Sequence, residues 1–352
     1  MKNTDNKKSE TKSAARYPVC FRCDLLIILI IFIISFTVEI YIDNRQGIEE
    51  TGKASMLNAS LSIDYPGPDN VNSARTVVQQ KQAESGGYSI FKGTMADMTW
   101  QEIEAAAKEN TPVLMSIAVI EEHGPHMCNG IDTYLGYLAC KLIKEELQSR
   151  EKNVLIAPPF YWGINSANHM FPGTFTVREE TMKALLHDIF VSLQSWGFND
   201  VFLFIAHGDR LHNQVIFRSV IDSRRKLDIN ARIFYPESDM RRSGFSGRES
   251  FLAPYKFPVE RPVTEYLDIH AGMFETGVVA AYFPELVNEE IARKLIGTRI
   301  RPQDAGEFYR NAKKVTPLGY IGDPAKYDAD FAKEIWDALC KNLADAVEKE
   351  IK

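Results

Sequence analysis

A chain of 352 residues, 45% hydrophobic and 25% charged with a net charge of −6, is globular rather than disordered and long enough for one large domain or two modest ones. The charge is spread along the chain and the only basic bias lies at the extreme N-terminus, which argues against a nucleic-acid partner. Cys20, Cys23, Cys128, Cys140 and Cys340 are too few and too scattered for a disulfide framework.

In chain order, residues 1–24 form a basic tail carrying Lys2, Lys7, Lys8, Lys12, Arg16 and Arg22. The apolar run LLIILIIFIISFTVEIYI, 25–42, follows and is broken only by Glu39. As a helix it would span about 27 Å, enough for a hydrocarbon core. The positive-inside rule then predicts a single-pass signal anchor in the cell membrane, with the rest of the chain on the extracytoplasmic side. No small-x-small cleavage site follows the run. Residues 43–95, with DYPGPDN and ESGGYS, read as a flexible tether, and 96–352 as the folded domain.

Within that domain the pattern alternates. A helix is expected over Trp100–Glu109, a buried strand over 112–120, an amphipathic helix over Tyr134–Ser149 and a strand at NVLIAP. A helix over Glu179–Trp196, the strand VFLFIA (201–206), a helix over Asn213–Lys226 and the strand ARIFYP complete the series. Strands apolar on both faces and separated by helices predict an α/β fold with a mostly parallel sheet between two helical layers. Ligands in such folds sit beyond the carboxyl ends of the strands.

The charged clusters fall at those ends. Glu121 and His123, two apart in an extended segment, aim at one point while Glu122 turns away; His207 and Asp209 repeat the spacing after the next strand. Asp132, at the start of a helix, can cap it, bridge two metals, or both. His270 and Glu275 lie in DIHAGMFETG. Six of the seven histidines (123, 126, 169, 207, 212 and 270) fall in expected strand-end loops, and only His187 lies inside an evident helix. His126 and His212 fall off the two-residue register and suit substrate contact or support of the ligands. Mixed imidazole and carboxylate ligands suit zinc or manganese, with iron a further possibility, and disfavour calcium.

The motifs EEHGPHMCNGID, NHMFPGT, FIAHGD and HAGMFET, in this order, resemble the creatininase family of metal-dependent amidohydrolases from near residue 98 to the C-terminal helix. The resemblance implies a three-layer α/β/α domain and two divalent metal ions, one on Glu121, Asp132 and His207 and the other on His123, Asp132 and Glu275. Asp209 stands where the family has a metal-reaching glutamate, one methylene longer. His270 matches the catalytic histidine. Tyr266 replaces a pocket tryptophan and, with His126 and His169, is assigned to substrate contact. The expected activity is hydrolysis of a small amide or lactam by metal-activated water, in a homo-oligomer. The shortened side chain at Asp209 keeps open the alternative of a non-catalytic metal-binding or scaffolding domain on the same fold.

Overall fold

The computed structural model describes residues 89–240, 244–259 and 265–351. The basic tail, the apolar run and all but the end of the tether lie outside the described residues. Among the described residues no helix is long and apolar enough to cross a membrane.

Five short strands carry the domain: β1 (Val113–Ile117), β2 (Leu155–Ile156), β3 (Asp200–Ile205), β4 (Asn230–Pro236) and β5 (Leu252–Tyr255). They form one sheet in the order β2-β1-β3-β4-β5, and every pairing is parallel. Strands β1 and β3 run in register from Val113 opposite Val201 to Ile117 opposite Ile205. β5 was not among the expected strands; Pro254 lies in it, which an edge position tolerates because an edge strand needs fewer donors.

Six longer helices cover the sheet: α1 (Trp100–Lys108), α2 (Ile131–Ser149), α3 (Glu179–Ser195), α4 (Arg210–Lys226), α5 (Met273–Tyr282) and α6 (Ala329–Glu350). Helix α1 starts on a capping box, in which Thr99 Oγ1 accepts from Glu102 N and Glu102 Oε2 accepts from Thr99 N. Helix α6 packs on α2 and α5, and its Trp336 meets Phe204 of β3 edge to face. Helix α4 packs on α3 and on β4, with Phe217 edge to face on Tyr235. Adjacent strand residues point to opposite faces, so Phe234 on the α6 side and Tyr235 on the α4 side mark the three layers. The core runs through both interfaces, and each of β1's residues is buried.

The chain leaves β1 for β2 on one side and returns to β3 on the other. The crevice between the carboxyl ends of β1 and β3 is therefore the topological switch point, where such sheets bind ligands.

Candidate metal centre

Beyond Ile117 the backbone stays extended, and Ala118 N donates to Phe160 O while Glu121 N donates to Asn129 O. This carries Glu121, Glu122 and His123 over the switch point, all three buried. Helix α2 brings Asp132 in its first turn, β3 leads to His207, and α5 brings Glu275 in its first turn. Ala271, at φ +48°, bends the chain so that its amide donates to Glu275 Oε2 at 2.6 Å. A non-glycine residue held there costs on the order of 1 kcal/mol, typical of a functional segment.

The side chains converge in pairs. His207 Nδ1 lies 3.0 Å from both Glu121 Oε1 and Asp132 Oδ2. His123 Nε2 lies 3.2 Å from Asp132 Oδ1 and 3.5 Å from Glu275 Oε1. Asp132 thus presents one oxygen to each imidazole. It makes no cap of its helix; Gly130 occupies the cap position without a side-chain bond. Of the roles open in the sequence, capping is therefore not the one Asp132 plays. Two groups of potential metal ligands result, Glu121–Asp132–His207 and His123–Asp132–Glu275, and His270 joins Glu121 and His123 in a third, the ligand atoms of each group lying within 4.8 Å of one another.

Each imidazole is oriented through its other nitrogen. His123 Nδ1 donates to Glu121 O at 3.0 Å, and His207 Nε2 to Ile164 O at 3.2 Å. A neutral ring so held turns its lone pair towards the carboxylates. Burial disfavours charge on His123 and His207, yet Glu275 and Asp132 around the first, and Glu121 and Asp132 around the second, hold both pKa values well above the ordinary one. Glu121, Asp132 and Glu275 shift the other way: burial raises them, and the histidines more than offset it. Three buried carboxylates facing two imidazoles require positive charge between them. Protons on both rings would supply it, and so would a cation: His123 Nε2, 3.2 Å from Asp132 Oδ1, is buried and outside hydrogen-bond geometry. A cavity of about 40 Å³ bordered by Glu121, Asp132, His207, His270 and Glu275 has the size for ions and water.

His270 stands beside these groups, Nδ1 3.7 Å from Glu121 Oε1. Its Nε2 is 2.8 Å from Glu122 O and 3.1 Å from Glu122 Oε1. Burial lowers its pKa, but Glu121 and Glu122 prevail and push it up to about 9. Glu122 is in neither Asp132-centred group and lands on His270. Its carboxylate also accepts from Gly124 N, and a side chain at Gly319 would collide with it.

The remaining expected site residues are elsewhere. Asp209 joins neither Asp132-centred group: Oδ1 accepts from Leu211 N and His212 N, and Oδ2 from Ser166 N at 2.8 Å. It caps α4, which starts at Arg210 rather than Asn213 and takes His212 out of the expected loop and into its first turn. His126 is buried against Thr276 Oγ1 at 2.9 Å. His169 is exposed and bonds Ser166 O. Tyr266, half-buried, hydrogen-bonds Glu265 and lies near Arg299 and Arg301. Besides Glu122, two residues outside the expected set lie at the centre. Asn168 Nδ2 donates to Glu121 Oε2 at 2.8 Å, and Asp268, its pKa raised to about 6 by burial, accepts from the amides of Met273 and Asp323 below His270. Asn168 sits one residue before His169, in a motif whose histidine had drawn attention.

Comparison with known proteins gives the family and the fold. The family profile described as "Creatininase: Creatinine amidohydrolase" matches residues 96–347. The creatinine amidohydrolase of Pseudomonas putida is 24% identical over 282 residues, 74% of this chain and 97% of that protein. A mycofactocin precursor peptide peptidase of Mycolicibacterium smegmatis is 22% identical, over 67% of this chain and 84% of its own. A solved creatininase variant superposes with a TM-score of 0.57 at 21% identity, over 73% of this chain and 98% of that one, which establishes the shared fold. Others of this fold, at TM-score 0.53, are described as creatininase of Zn-Zn type and creatininase with Mn.

Proposed function

The chain belongs to the creatininase family, and from that premise we propose that it is a dinuclear-metal amidohydrolase cleaving a C–N bond of a small amide or lactam with activated water. The observation that carries this reading is the buried convergence of Glu121, Asp132 and Glu275 on two imidazoles whose outer nitrogens are tied to backbone carbonyls. Glu121, Asp132 and His207 would hold one ion and His123, Asp132 and Glu275 the other, zinc or manganese by the chemistry of the donors. Two such cations supply a Lewis acid for a carbonyl oxygen and a water of lowered pKa.

The remaining work falls to side chains. Two oxygens of Glu122 face His270 Nε2 and keep a proton there, and with the ring pKa pushed up to about 9, Nδ1, on the Glu121 side, carries the proton that is given to the leaving nitrogen during C–N cleavage. Glu122 orients the ring as the carboxylate of a hydrolytic triad does. The relatives named as a creatinine amidohydrolase and a precursor peptide peptidase support amide chemistry for this site. Residues 25–42 would anchor the enzyme in the membrane with its domain outside the cytoplasm, a reading supported by the apolar run behind a basic tail. Carbonate-resistant membrane sedimentation of the full chain is expected; recovery in the soluble fraction would contradict it.

The test is a panel of lactams, N-formyl compounds and short amides offered to the full chain loaded with zinc or manganese. At least one substrate should turn over, and His270→Ala should keep its metal and lose about 10²-fold or more in kcat. Bound metal with no C–N cleavage across the panel would favour the second reading, a non-catalytic metal-binding domain, to which the diversion of Asp209 into a helix cap lends support.

A further inference from the structure

Resting on the dinuclear reading above, we propose that Asn168 is a positioning residue that makes Glu121 a one-oxygen metal ligand. The loop that carries it is pinned on both sides. Asn165 Nδ2 donates to Phe175 O at 2.7 Å and Asn165 N to Thr176 Oγ1 at 3.0 Å, while Ser166 N donates to Asp209 Oδ2. Phe171 N closes a turn on Asn168 O. The side chain of Asn168, buried, is thereby laid across Glu121.

The two oxygens of Glu121 then do different jobs. Oε2 accepts from Asn168 Nδ2 at 2.8 Å, and Oε1 faces His207 Nδ1 at 3.0 Å and His270 Nδ1 at 3.7 Å. The orientation of the amide follows from the carboxylate, since turning it over would set oxygen against oxygen. It is kept although Asn168 Oδ1 is left buried without a partner. Leaving a buried acceptor unpaired is costly, so the hydrogen bond to Glu121 is the interaction the loop is shaped to make. Nδ2 also lies 3.2 Å from His270 Nε2, but both nitrogens are donors, so the hydrogen bond of Asn168 is the one to Glu121. Without that donor, Oε2 would be free to swing towards the metal or towards His270. Asp209 holds Ser166, two residues before Asn168, and so helps to fix this loop.

Because Glu121 belongs to one Asp132-centred ligand group and not the other, the effect should be confined to one ion. The test is titration of the metal-stripped full chain with Mn²⁺, followed by calorimetry. The unsubstituted chain should take two ions. In Asn168→Ala one dissociation constant should rise about 10- to 100-fold while the other moves less than about threefold. Asn168→Asp, which keeps the shape and removes the donor, should weaken the same ion and guards against a folding defect in the alanine variant. Ser166→Ala, a change in the same loop without contact to Glu121, should leave both constants in place. Unchanged or tighter binding in Asn168→Asp, or an equal weakening of both ions in both Asn168 variants, would overturn the proposal while leaving the dinuclear centre intact. Uptake of fewer than two ions by the unsubstituted chain would overturn the dinuclear reading and this proposal with it.

Discussion

One nitrogen of each buried histidine near the centre is already spoken for, and that decides what the other can do. His123 and His207 are held by backbone carbonyls and turn their remaining nitrogens to carboxylates, whereas His126 is held by Thr276 Oγ1 and has no carboxylate partner. Burial, helped by the neighbouring His123, therefore lowers the His126 pKa to about 4. The sign follows from linkage: below the ordinary histidine value the unfolded chain takes up a proton that the folded chain refuses, so stability falls as pH falls. Between pH 7 and pH 5 the wild type should lose about 2 kcal/mol more than His126→Gln in urea denaturation of the metal-free protein. Parallel curves would show a protonated, accessible His126, as a substrate-contacting role would need. Residue-scale legibility divides along the same line. Glu121, His123, Asp132, His207 and Glu275 could be singled out because local spacing already put ligand atoms at strand ends and helix starts. Glu122 and Asn168 could not, because their partners are His270, 148 residues away, and Glu121, 47 residues away.

Three helices point their N-termini at the crevice, and each carries a carboxylate there: Asp132 in the first turn of α2, Glu275 in the first turn of α5 and Asp209 at the cap of α4. The positive end of the helix dipole eases the burial of each acid. Local pattern alone cannot tell a ligand from a cap, and this is why Asp209, at the same two-residue spacing as Glu121 and His123, was grouped with the ligands. The structure separates them: Asp132 makes no cap and Asp209 caps with both a backbone pair and Ser166. Asp209→Ala should cost about 1–2 kcal/mol of thermal stability, the usual worth of an N-cap, and Asp209→Asn should recover most of it. Both variants should still bind two ions. Loss of one ion at unchanged stability would assign Asp209 to the metal instead. Helix α2 reaches its place because Gly136 passes close to Ser116 and Ala206, where a Cβ would lie 3.0 and 3.2 Å from theirs. Helices and strands β1 to β4 were legible from the sequence pattern, although NVLIAP pairs over only two residues; the proline-bearing β5 owes its pairing to its neighbour rather than to its own residues.

At the scale of the whole molecule, the strand order sets the site. Reversal of the chain's course between β1 and β3 opens one crevice, and because the strands are parallel the helix starts that follow β1 and β3 come to that same edge. Ligands from the β1 segment, α2, the β3 end and α5 meet only when the sheet has formed, so binding of cations and folding should reinforce each other. On the proposed reading Asp132 would hold both ions, since one of its oxygens faces each imidazole. Elemental analysis of the purified full chain, reconstituted with zinc or manganese, tests it in a single comparison with Asp132→Ala. The account predicts about two ions per wild-type chain and the loss of both together in the variant, at least a tenfold weakening of each. One ion retained at wild-type affinity in Asp132→Ala would contradict it.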